Sequence, residues 1–191
     1  MKKLNCKWYS YILGIVLFSA CGHSDKYKVE IKQLDSIKVM VDSAQLKFAA
    51  IDTSKIHKYI SEINNNLDFI NDTNKDTLKT EQAFLLSEYR SSRKPFRVVI
   101  AKYATVIDEL PKSKKQIENL IHDLKTDKVD EAKVAAYVQD EMIVAGSVVH
   151  AIDIMENLDK LYSEKYEANT PKVLELIESL KAKSDPKELK K

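Results

Sequence analysis

The 191-residue chain is 44% hydrophobic and 31% charged, with a formal net charge of only +2, three glycines, four prolines and two cysteines. Both cysteines, Cys6 and Cys21, fall in the first 21 residues. An intramolecular disulfide framework and a c-type haem motif are therefore excluded for everything beyond them. Scarce glycine also excludes a phosphate-cradling loop and points to few turns and long elements.

The N-terminal stretch MKKLNCKWYSYILGIVLFSA places Lys2, Lys3 and Lys7 ahead of an apolar run from Ile12 to Phe18. That run is too short to span a bilayer, which needs roughly 20 apolar residues, and has the form of a secretory signal. Phe18, Ser19 and Ala20 then lead directly into Cys21. This segment resembles the lipobox of bacterial lipoproteins, and the resemblance covers the signal only. It implies cleavage after Ala20, lipidation of Cys21 (palmitate among the acyl chains), and a membrane as the first partner. A plain signal peptidase would want a small residue where Phe18 stands, which favours the lipoprotein reading.

In that class an aspartate after the cysteine retains the protein at the inner membrane, and an acidic run accompanies surface export. Gly22 and the sequence GHSDKYK offer neither, which implies the periplasmic face of a cell membrane or outer membrane. Loss of the three leader lysines takes 31 basic residues to 28 against 29 acidic ones, and the net charge from +2 to −1. Nucleic-acid binding is thereby excluded as an expectation.

After a tether over residues 21–28, the bundle is expected over 29–183, with a frayed tail over 184–191. Leu34, Ile37, Val41, Ala44, Phe48 and Ile51 form one helical stripe, and Ile56, Ile60, Ile63, Leu67 and Ile70 a second. The interval between them is five and contains Asp52, Thr53 and Ser54. Either a capped restart or a strained continuous helix over 27–72 would account for it; the continuous helix is the expectation. Residues 71–77 (NDTNKDT) should turn the chain.

The next stripe runs Leu78, Gln82, Leu85, Tyr89, Ser92, Phe96, Val99, Tyr103, Val106, Leu110 and passes Pro95 in phase, predicting a bent helix. Beyond Pro111, Ser113 and Gln116 have the S-x-x-Q spacing of a capping box, predicting an interruption and restart. A third stretch begins near 127–130 and runs to about Ala168. Its apolar centre, residues 142–155, is expected to be buried on several sides. Thr170 and Pro171 read as the start of a short C-terminal helix. The fold class is all-α: an antiparallel bundle of three long helices, the middle one kinked at Pro95 and interrupted near Pro111, plus that short helix. A four-helix bundle is the alternative.

The sequence assembles no catalytic group and implies no cofactor or metal. His57, His122 and His150 lack the E-x-x-H spacing of di-iron bundles, and Glu118 with His122 lacks further ligands. His150, near Asp153, reads as a hydrogen-bonded core or boundary residue. Tyr27, Tyr59, Tyr89, Tyr103, Tyr137, Tyr162 and Tyr166 include two, Tyr89 and Tyr103, on the apolar stripe, where they read as core or boundary residues.

What stands out is the segment EYRSSRKPFR, which holds every arginine: Arg90, Arg93 and Arg97. On a helix they share one face beside Ser92. Reversals near residues 74 and 127 would set Pro95 level with residue 53 and residue 160. The expectation is a polar layer of Asp52, Thr53, Ser54, Ser92, the arginines and Asp159. It is either a salt-bridged device fixing helix register or a notch for an anionic partner. The functional expectation is a lipid-anchored, non-enzymatic envelope protein that binds another envelope protein; the alternative is a small-ligand sensor or carrier binding near the Pro95 kink.

Overall fold

A computed structural model describes residues 26–73 and 78–184. Residues 1–25, on which the expected leader and Cys21 fall, residues 74–77, where a turn is expected, and residues 185–191, the expected tail, lie outside the described residues. Within them the protein is all-α: α1 (Lys28–Ala49), α2 (Thr53–Thr73), α3 (Thr80–Ser91), α4 (Arg93–Lys125), a 3-10 turn (Glu131–Lys133) and α5 (Val134–Ser184). These elements form three rods, α1 with α2, α3 with α4, and α5 alone.

Side-chain pairs fix the directions. Lys38 pairs with Glu118 and Asp42 with Lys114, while Asn66 meets Tyr89, so the first two rods run antiparallel. Glu88 pairs with Lys165, so α5 opposes the second rod, and Lys47 with Asp153 and Glu156 shows that α5 runs parallel to the first. One apolar stripe per rod faces the common axis, with Leu34, Val41, Ile63, Phe96, Ile117 and Ile152 fully buried. An arrangement of three amphipathic rods is what 3/4-spaced apolar residues with polar flanks require.

The first rod is broken rather than continuous, contrary to the expectation of an unbroken helix. Ala50 and Ile51 close the end of α1 with N–H bonds to the carbonyls of Lys47 and Phe48, and Asp52 Oδ1 accepts from Lys55 N–H at 3.0 Å. An aspartate cap thus starts α2, in place of the Ser or Thr cap considered above. The break resolves the phase slip: Ile51 stays buried and both stripes keep facing inward.

The second rod is divided at Ser92, three residues before the proline. Ser92 keeps helical dihedrals (φ −69°, ψ −22°), and α4 begins at Arg93 with Pro95 as its third residue. Pro95 cannot donate to the carbonyl of Ser91, but the helical dihedrals at Ser92 carry the turn through, which is why the stripe passes in phase.

Pro111 does not interrupt α4, and Pro171 does not begin a separate helix. Both sit inside continuous helices. Each proline is exposed, and the carbonyls they free belong to Ile107 and Glu167, also exposed, where water satisfies them. Ser113, expected as a cap, is instead buried inside α4. Thr170 is no cap either: its hydroxyl donates back to the carbonyl of Tyr166 at 2.7 Å. The C-terminal helix is therefore the last third of the 51-residue α5.

The α4 to α5 turn pivots on Asp127, whose φ of 50° is left-handed. Lys128 N–H reaches the carbonyl of Asp123 at 3.0 Å and Asp127 N–H that of Leu124 at 3.3 Å. This pair of bonds is a Schellman closure with aspartate where glycine is usual. The stretch 142–155 is not buried on several sides. With three rods none is central, so α5 hides only Ala145, Val148, Ile152 and Met155 there, while Met142, Ile143 and Val144 are exposed.

Candidate functional site

Arg90 lies at the end of α3, and Arg93 and Arg97 in the first turns of α4, on either side of Ser92. Arg93 is half-buried and donates from Nη1 to Asn64 Oδ1 of α2 at 2.9 Å. Arg90 and Arg97 flank it on the same face and are exposed. Ser92 is fully buried beneath them, its hydroxyl without a hydrogen-bond partner.

The remaining members of the expected polar layer lie elsewhere. Asp52 is exposed and occupied as the cap of α2, with Thr53 and Ser54 in that helix's first turn. The bonds Arg93 to Asn64 and Tyr89 to Asn66 set the α3–α4 junction level with residues in the sixties, about two turns beyond the height expected from a pivot at 74. The pivot is displaced because α3 starts only at Thr80, after an extended Lys79. Asp159 does lie at the height of Pro95, as expected from the pivot near 127, but it accepts from Ser163 at 3.0 Å. No salt-bridged layer joins these residues.

Lysines behave differently. Lys38, Lys47, Lys114 and Lys165 each pair with a carboxylate of a neighbouring rod at 2.5–2.9 Å. Among the described residues the cross-bundle ion pairs belong to lysine, and none of the three arginines contacts a carboxylate. The residue type with the better carboxylate-binding geometry is thus the one left uncommitted.

A second polar cluster, missed by sequence reasoning, sits in the core beside the strip. The rings of Tyr59 and Tyr166 stack at 3.9 Å between centroids, with Tyr89 at 5.7 Å from Tyr166 and Phe96 at 5.8 Å from Tyr59. Tyr59 donates its hydroxyl to Glu167 at 2.6 Å, Tyr166 donates to Glu62, and Tyr89 accepts from Asn66 at 3.0 Å. Burial, and then the bond to Glu62, hold the Tyr166 phenol well above its usual range; burial and the bond to Glu167 raise Tyr59. Glu167 is lowered by the Tyr59 bond and by Lys55. Tyr59 and Tyr166 are therefore held as protonated donors, each to a glutamate of another rod. The signal available in the sequence was the set of tyrosines itself, but Ile60 fits the 3/4 spacing as well as Tyr59 does.

His57, His122 and His150 are all exposed, so His150 is not the core or boundary residue expected. Glu118, considered with His122, pairs with Lys38. No group of three or more His, Cys, Asp or Glu is gathered as a metal site among the described residues. No helix there is long and apolar enough to cross a membrane.

Fold and surface together define an all-α three-rod bundle whose α3–α4 junction carries an arginine strip with no carboxylate partner. No protein-family model matches the chain, and no curated protein or solved structure is significantly similar to it.

Proposed function

We propose that this is a lipid-anchored protein of the bacterial cell envelope, held through Cys21, whose bundle presents Arg90, Arg93 and Arg97 to an acidic face of another envelope protein. It acts as an interaction or accessory subunit and performs no chemistry of its own. The observation that carries this reading is the contrast in pairing: lysines satisfy the bundle's own carboxylates, while none of the three arginines meets one. Arg93 is held in place by Asn64, which leaves a preorganised strip rather than three free side chains.

The position of the strip favours a protein over lipid headgroups. From Lys28 to Asn64, level with Arg93, the rod measures about 50 Å at 1.5 Å per residue. A bundle standing on its tether holds the strip far from the surface that anchors it.

The alternative, a ligand carrier binding between helices near Pro95, draws less support. Tyr89, Ser92, Phe96 and Val99 are all fully buried at that level, leaving no opening on the core face. An open cleft of about 500 Å3 lies instead between α3 and the end of α5, lined by Phe84, Leu85, Lys172 and Leu176 among others.

The test has two arms. Cys21→Ala should move the protein from the membrane fraction to the soluble fraction and abolish acyl labelling. A photoreactive residue at exposed Lys94 should capture a discrete protein adduct in cells, and Arg90→Glu with Arg97→Glu should remove that adduct while the bundle stays folded. Membrane retention by the Cys21 variant would refute the anchor; adducts indifferent to charge reversal would refute the strip.

A further inference from the structure

We infer that the outer face of α5 is a helix-pairing seam for a second copy of this chain, joined side by side in parallel about a two-fold axis. Ile143, Gly146, His150, Ile154, Asn157 and Leu161 recur at spacings of three and four on α5. At 100° per residue they fall within about 80° of arc, opposite the core stripe of Val148, Ile152 and Met155. Ile143 is 60% exposed and Leu161 58%, and Gly146, His150 and Asn157 are exposed as well.

Opposite its core stripe α5 thus carries a second, uncharged one, in which Ile143, Ile154 and Leu161 are spaced by Gly146, His150 and Asn157. Nearly a third of the chain is charged, yet this outward arc holds no Asp, Glu, Lys or Arg over nineteen residues. The charged residues of the same span, Asp153, Glu156, Asp159 and Lys160, all lie outside it.

Gly146 is an independent sign. Glycine inside a helix is less favourable than alanine by about 1 kcal/mol, and some close approach normally justifies it. Within the bundle nothing does: a Cβ at Gly146 would meet no atom within 4 Å. Its missing side chain faces outward, toward the N-terminal end of the seam and at one edge of the arc, where a neighbouring backbone could come close.

The pattern selects the occupant. In a parallel two-fold pair each residue meets its own copy, so any charge on the seam would oppose itself, and an arc without charge is the condition for such pairing. Asn157 sets the direction. Parallel chains place Asn157 against Asn157, where two amides bond each other and fix register. An antiparallel pair centred on His150 would bury Asn157 against Ile143 and leave an amide unsatisfied. The pairing rests on α5 alone and does not depend on the arginine strip or the anchor.

Cysteine crosslinking of the full chain in its membrane tests this. Ile143→Cys should give a disulfide-linked dimer well above the background of the parent chain, whereas Ile107→Cys, exposed on α4, should stay at background. In detergent-solubilised full chain, Ile143→Glu and Leu161→Glu should each weaken self-association about tenfold or more, without change in helix content. A parent chain that stays monomeric to about 100 µM in sedimentation overturns the inference, as does a dimer insensitive to Ile143→Glu. Crosslinking of Ile143→Cys to Asn157→Cys, but not to itself, overturns the parallel arrangement.

Discussion

The bundle treats buried polar groups in two opposite ways at its two ends. Around Tyr59, Tyr89 and Tyr166 each phenol has a partner on another rod, Glu167, Asn66 and Glu62 respectively. Nearer the α4 to α5 turn, Ser113 Oγ and Glu141 Oε2 are buried with no hydrogen-bond partner. Burying a polar group is unfavourable unless it is bonded, so the bonded tyrosines specify the first end, where Ser92 Oγ is the orphaned exception, while the second end has orphaned groups and no such layer to offset them. The same apolar stripe thus supports a register-defining layer at one end and a tolerant, less specific core at the other.

Four substitutions bear on this contrast, in falling order of expected effect. Phe96→Ala empties a fully buried site under the tyrosines and should lower unfolding free energy by about 3–5 kcal/mol in a denaturant titration. A loss below about 1 kcal/mol would mean the aromatic layer is not close-packed. Tyr166→Phe keeps the stacked ring but deprives Glu62 of its donor, and should lose about 1–2 kcal/mol. If it were neutral, the layer would be apolar packing alone.

At the other end the sign reverses. Ser113→Ala removes an orphaned hydroxyl and should raise stability by up to about 1 kcal/mol, visible as a higher melting temperature. Glu141 gives the smallest effect and adds a pH dependence. Its carboxyl is raised by burial and then by Asp140. In the window just above the usual carboxylate range the folded state binds more protons than the unfolded one, so stability falls as pH rises through it. Glu141→Gln should flatten that decline and stabilise the protein at pH 7, with the advantage gone by about pH 4. Glu167, lowered by Tyr59 and Lys55, has the opposite sign: its contribution is present above the usual range and fades on acidification.

Helical stripes made three rods legible from the sequence, and the five-residue interval at 52–54 did mark a break. The choice between strain and restart depended on Asp52 reaching Lys55 N–H, a local bond that spacing alone does not reveal. Ser113 and Gln116 had the spacing of a capping box, but burial of Ser113 against the other rods outweighed it, and an exposed Pro111 loses a hydrogen bond that water replaces. The arginine strip was visible as a cluster. Its lack of a carboxylate partner was not, because a two-turn error in where the first rods reverse is enough to exchange one set of facing residues for another. The outward stripe on α5 was hidden inside an apolar run that read as core.

The tyrosine layer also gives the protein an optical signature. The only tryptophan, Trp8, precedes the bundle in the chain, so emission and near-ultraviolet dichroism from the bundle arise from its tyrosines and phenylalanines. Three stacked or adjacent phenols, two of them donating to carboxylates, should yield intense dichroism near 280 nm and quenched fluorescence that recovers only when the rods separate. Tertiary assembly can therefore be followed without a label, independently of the helix signal that isolated rods would retain.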